Sequence, residues 1–287
     1  MSATVSIASR PNALWLALSK NRLSWIGLGL LLLIVFTALF APWLAPHDPL
    51  QQNIAYRLEP PSAEFWLGTD SYGRDVLSRL IYGSRVSLLV GFVAILIAMT
   101  IGSALGVLAG YIGGWLDRLT MGLVDVLLSF PTLVLGLMIA AMLGASLENL
   151  IIAIAITEIA PFVRVARAPT IALKQRDFIE AGRALGYSPL RLMGVHIVPN
   201  MISDVVVLGS LWMASAIRTE ASLSFIGLGV PPPTATWGSM IREGFENILD
   251  AWWLTVFPSV AILLTVLALN LLGDALRDAI DPKLRSD

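Results

Sequence analysis

Residues 177–200 read DFIEAGRALGYSPLRLMGVHIVPN, a polar insertion between two strongly apolar stretches, and the rest of the chain is organised around it. Phe178, Ala181 and Leu185 fall at helical spacing with Glu180 and Arg183 between them, which predicts a short helix with one apolar and one charged side. Gly186 ends that pattern. Ser188 is a favourable N-cap, and Pro189 follows at the first helical position, where its missing N–H costs nothing. Leu190, Met193 and Ile197 then line one face of a second helix, which Pro199 is expected to close. Such a bent pair of short helices suits docking on a partner; a loop of this kind can also lie on membrane lipid.

The 287 residues are too apolar for a soluble globule, with 56% hydrophobic, 14% charged and a mean hydropathy of +0.78. The fold class implied is all-α, a polytopic membrane protein with six transmembrane helices at 23–44, 87–111, 121–143, 150–165, 201–225 and 252–272. The first run is too long for a signal h-region and carries Pro42 and Trp43 where cleavage would occur, so it predicts an anchor after a polar segment 1–22. An extracytoplasmic loop 45–86, a core 87–272 containing the polar loop 170–200, and a tail 273–287 complete the division. The chain has no cysteine, which excludes a disulfide framework, thiolate metal sites and thiol catalysis. A net charge of −1 gives no pull toward nucleic acid.

Lys and Arg set the expected orientation. Arg57, Arg74, Arg79, Arg85 and Arg242 fall on one side and Arg218 within a span; all the other basic residues, from Arg10 to Arg285, fall on the opposite side. That excess predicts a cytosolic 177–200 loop and cytosolic termini. In the outer segment, Val76, Leu77, Leu80 and Ile81 share a face and Asp75 and Arg79 stand four apart, predicting an interfacial helix ahead of the second span. Gly102, Gly106 and Gly110 repeat every four residues in that span, as do Gly136, Ala140 and Gly144 in the next, a pattern for close helix packing. Gly113-Gly114 predicts the tight turn between them.

An ionisable residue within a span, where a charge costs about 2.5–3.5 kcal/mol at mid-membrane on insertion scales, is a functional candidate by default, and Asp125, Glu158, Arg218 and Glu220 are four such candidates. Asp125 is near the inner face and can pair with Arg118 or a neighbouring chain. Glu158 stands three residues before Pro161. Arg218 and Glu220 lie in the outer half of the fifth span and point to different faces. Glu158, Arg218 and Glu220 are candidates to line a translocation path, and Asp125 and Pro131 read as structural.

The words Glu180-Ala181-Gly182, Gly186 and Ile197-Val198-Pro199 resemble the EAA loop of the membrane subunits of bacterial ABC importers. Two positions depart from that motif: Gly182 replaces an Ala, and His196 an apolar residue. Leu67-Gly68-Thr69-Asp70, Gly73-Arg74-Asp75, Ser129-Phe130-Pro131-Thr132, Thr219 to Gly229, Trp237-Gly238-Ser239-Met240 and Asn270 to Asp274 are similar to the C-type subunit of the peptide/nickel branch. Arg218 stands where that branch leads one to expect an apolar residue.

The resemblance implies a type I ABC importer permease fold in the bacterial inner membrane. It also implies a homologous second permease, two cytosolic ABC ATPases and an extracytoplasmic solute-binding protein as partners. ATP and Mg would be bound by the ATPases, with no cofactor in this chain and no enzymatic activity of its own. Phe178, Glu180, Ala181, Gly182, Leu185, Gly186, Pro189 and Pro199 would form the coupling loop. Di- or oligopeptides are the expected substrates, with nickel, glutathione and opine-type solutes as alternatives within the family. An ion-coupled secondary transporter, which also uses intramembrane carboxylates, would show repeated halves, and no such repeat is legible. The sole histidines, His47 and His196, lie outside the spans, and no Gly-rich Lys-Ser/Thr loop is present to bind ATP.

Overall fold

The computed structural model describes residues 22–280. Residues 1–21 of the expected N-terminal segment 1–22 and 281–287 of the expected tail 273–287, with Arg10, Lys20, Lys283 and Arg285, lie outside the described residues. The chain forms α1 (Arg22–Leu39), a short α2 (Ala41–Leu44), α3 (Val76–Ile112), α4 (Gly114–Ser129), α5 (Thr132–Leu143) and α6 (Leu147–Lys174). These are followed by α7 (Asp177–Ala184), α8 (Pro189–Ile226), α9 (Trp237–Phe245) and α10 (Trp253–Ile280). A single 3-10 turn, Ile54–Tyr56, interrupts the loop between α2 and α3.

The spans differ from the sequence expectation in four ways. Four helices, α3, α6, α8 and α10, are long and apolar enough to cross a membrane, and the count reaches five if the pair α4–α5 is one span. That pair is bent by 96°, so the expected third span is broken, not merely kinked. Pro131 is the reason: the residue before a proline is driven into extended backbone, and Phe130 has φ −95° and ψ 141°. The expected first span ends at Leu39, and its remainder folds as α2. Six spans therefore require counting both this shorter helix and the bent pair. Finally, the interfacial helix at Asp75 to Tyr82 is not separate. It forms the first turns of α3, whose 37 residues extend about 55 Å against a hydrocarbon core of about 30 Å.

α3 and α6 form the most extensive helix pair, and α8 packs against both of them and against α10. The glycines of α3 explain the closeness. A Cβ at Gly102 would come within 2.7 Å of the Ile159 carbonyl, at Gly106 within 2.4 Å of the Val163 carbonyl, and at Gly110 within 2.9 Å of the Arg167 carbonyl. Backbone meets backbone along this seam. The second glycine series behaves differently: Gly136 has only ordinary contacts, and Gly144 has none, serving instead as the positive-φ C-cap of α5. Val90, Ala94, Ala98, Phe162, Ala166 and Leu223 lie in the main core. Gly27 lets α1 lie against Leu271 of α10.

Candidate docking loop and intramembrane polar groups

The loop at 177–200 is held by local chemistry. At the end of α7 the Tyr187 N–H donates to the Gly182 carbonyl (3.0 Å) and the Gly186 N–H to the Arg183 carbonyl (2.9 Å), a Schellman ending with Gly186 at φ +78°. Ser188 Oγ then accepts from the Arg191 N–H at 3.3 Å, and Pro189 opens α8. Pro199 does not close this helix. The turn Leu192–Ile197 is π-helical, with the Val198 N–H reaching back to the Met193 carbonyl, and α-helix resumes at Val198. Pro199 thus falls in the first turn of the renewed α-helix, where its missing N–H is not needed.

The buried face of α7 is Ile179 and Gly182, with Phe178, Glu180, Ala181 and Leu185 exposed. The apolar side that the spacing predicts is therefore uncovered in this chain. Gly182 has a packing role, since a Cβ there would lie 2.8 Å from Leu192 Cδ2 and 3.3 Å from Tyr187 Cδ2. Pro189 is exposed and Leu192, Met193 and Ile197 are buried. Sequence reading missed Tyr187. Its ring stacks on His196, 5.8 Å between centroids at 6°, and carries the Arg191 guanidinium 4.1 Å from its centre. Tyr111 at the end of α3 takes Lys174 and Arg183 in the same way, at 5.6 and 5.7 Å. These ring contacts tie the bent loop to itself and to the bundle.

Within the bundle, Asp125 pairs with Arg164 of α6 at 2.6 Å, in place of Arg118, and both side chains are exposed. Arg167 binds Asp117 through two nitrogens, one contact at 2.6 Å. Glu158 is wholly buried, and neither carboxylate oxygen closes a hydrogen bond; the Ser215 hydroxyl of α8 lies beside it and the field of Arg218 reaches it. Arg218 itself is exposed. Glu220 is wholly buried on another side of α8, accepting from Ser224 Oγ at 2.8 Å with Ser87 and Thr236 facing it. The structure thus buries Glu158 and Glu220 in different surroundings and leaves Arg218 exposed.

At the opposite end from the 177–200 loop, the motif words of 67–79 form a buried ionic cluster. Asp70 accepts from Arg74 Nε at 2.7 Å and lies 3.2 Å from Arg79 Nε. Both arginines reach Glu243 of α9, Arg79 at 3.0 Å and Arg74 at 3.2 Å. Burial raises the Glu243 carboxyl above its usual value even though the two arginines hold it down. Asp75 does not pair with Arg79: its carboxylate caps α3, accepting from the Ser78 N–H at 2.9 Å. Two indoles complete the closure. Trp237 Nε1 donates to the Leu80 carbonyl and Trp253 Nε1 to the Thr69 carbonyl. Gly73 is forced by space as well as by its φ of +70°, since a Cβ there would overlap the Asn53 carbonyl.

Length, apolarity and packing together define a membrane protein built as a helical bundle. Residues 102–286 match the family described as binding-protein-dependent transport system inner membrane component, and residues 13–61 match the N-terminal transmembrane domain of oligopeptide transport permease C. The chain belongs to this family of transport permeases and is not itself catalytic. It is 46% identical to the di/tripeptide transport system permease protein DppC of Pseudomonas aeruginosa, over 95% of this chain and 92% of the relative. It is 44% identical to the probable D,D-dipeptide transport system permease protein DdpC of Escherichia coli, over 88% and 85%. It is 45% identical to the glutathione transport system permease protein GsiD of Pectobacterium atrosepticum, over 89% and 85%. The fold is similar to a chain of the MetNI methionine ABC transporter in an inward-facing form, with a TM-score of 0.57 at 18% identity, over 71% of this chain and 97% of that one.

Proposed function

We propose that this chain is one membrane half of a type I ABC importer for short peptides, coupled to a cytosolic ATPase through its 177–200 loop. The observation that carries the coupling role is the uncovered face of Phe178, Ala181 and Leu185 on a helix that its Schellman ending and ring contacts hold rigid. A rigid bent element seated in a moving partner passes that movement to both attached helices, here α6 and α8, and a bundle with two packings then opens alternately to either side. Glu180, exposed beside this face, supplies a charge for a basic or N–H donor of the partner. ATP and Mg belong to the ATPases. A second permease completes the path, and a solute-binding protein delivers substrate at the Asp70–Glu243 end. The excess of Lys and Arg supports placing the loop end in the cytosol of a bacterial inner membrane.

The di/tripeptide, D,D-dipeptide and glutathione permeases at 44–46% identity support a peptide substrate for this chain. Glutathione, a tripeptide, falls in the same chemical class. The test is to tag the chain, solubilise native membranes gently and identify what co-purifies in stoichiometric amount. A second permease and two ATPases, with ATP-dependent peptide uptake after reconstitution, are expected. A chain that purifies alone and moves solute in liposomes without ATP would reverse the reading in favour of a secondary transporter.

A further inference from the structure

α8 carries one cation inside the span. By helical rise Arg218 lies about 30 Å from Val198 and about 12 Å from Ile226. Its guanidinium is exposed and closes no ion pair among the described residues. Against lipid such a charge costs about 2.5–3.5 kcal/mol, so this face borders protein or water. Its neighbours on the face are polar: Ser215 and Ser222 stand three residues before it and four after. Ser222 Oγ donates to the Arg218 carbonyl at 2.9 Å, which takes up its proton and leaves its oxygen free to accept. The Glu158 carboxyl is buried in α6, and it forms no ion pair with Arg218.

We infer that Arg218, flanked by Ser215 and Ser222, is a subsite on the translocation path for a carboxylate of the transported molecule, in a peptide its C-terminal carboxylate. This rests on the peptide-importer reading. A guanidinium presents parallel N–H donors that match a carboxylate in two-point contact.

The test uses the complete transporter with its binding protein in proteoliposomes, comparing uptake of tri-alanine with that of its C-terminal amide. The same binding protein serves every variant, so a change in the acid-to-amide ratio reports the permease. Arg218→Gln is expected to lower that ratio about tenfold by slowing the acid, whereas Arg218→Lys keeps it within about threefold of wild type. Ser222→Ala, a small change at the same face, is expected to lower it about twofold and decides the matter should Arg218→Gln not assemble. An unchanged ratio in Arg218→Gln or Ser222→Ala overturns the subsite, and so does an equal fall in both rates. A wild-type complex that hydrolyses ATP but carries neither peptide overturns the peptide reading, and the subsite with it.

Discussion

Gly186 and Arg79 show two ways in which one residue matters. A Cβ at Gly186 meets nothing within 4 Å, so the demand for glycine comes from its φ of +78°, where an ordinary side chain costs about 1–2 kcal/mol. Asn tolerates that conformation and Val does not. Gly186→Asn is therefore expected to keep peptide-stimulated ATP hydrolysis near wild type in the reconstituted complex, and Gly186→Val to reduce it severalfold. Equal losses would point to bulk at the docking surface instead of backbone shape. Arg79 is buried between Asp70 and the partly exposed Glu243, so Arg79→Ala leaves Arg74 alone to balance both acids and should cost about 3 kcal/mol, read as a lowered unfolding temperature in detergent. The Gly186 turn and the Ser188 cap were legible in the sequence because they bond within a few residues. The ionic cluster was not, since Arg79 and Glu243 are 164 residues apart and only the fold makes them neighbours.

At the level of elements, two similar glycine series turn out to do different work. Spacing alone made Gly106 and Gly136 equivalent, but the first faces the backbone of α6 and the second faces flexible side-chain ends. Gly106→Ala should therefore separate α3 from α6 at a cost of about 1–3 kcal/mol, while Gly136→Ala should be close to neutral. Parallel thermal unfolding of the two variants checks this, and a similar loss in both would contradict the seam. Pro131 and Pro199 make the same point. Both are helix breakers by composition; one stops α4 because Phe130 must be extended, and the other is carried inside α8 because a π turn precedes it. Local chemistry names the strain, and the neighbouring turn decides how it is relieved.

For the whole molecule, the exposed face of α7 predicts a separation of stability from assembly. Replacing Phe178 and Leu185 together by Ser should leave unfolding of the isolated chain within about 0.5 kcal/mol, because neither is buried, while ATPase subunits no longer co-purify. A loss of folding would mean that this face packs within the chain. The sequence by itself determined that the protein is an all-helical membrane chain, placed its long apolar segments, and marked out the bent loop at 177–200. Hydropathy, helical spacing and capping depend on residues close together in the chain. Tertiary structure decided how the third span breaks, which glycines carry helix contact, that Asp125 meets Arg164, and that Glu158 and Glu220 are buried in different surroundings. Each of these depends on which faces of distant helices meet, and that is set by packing the whole bundle at once, not by any local pattern.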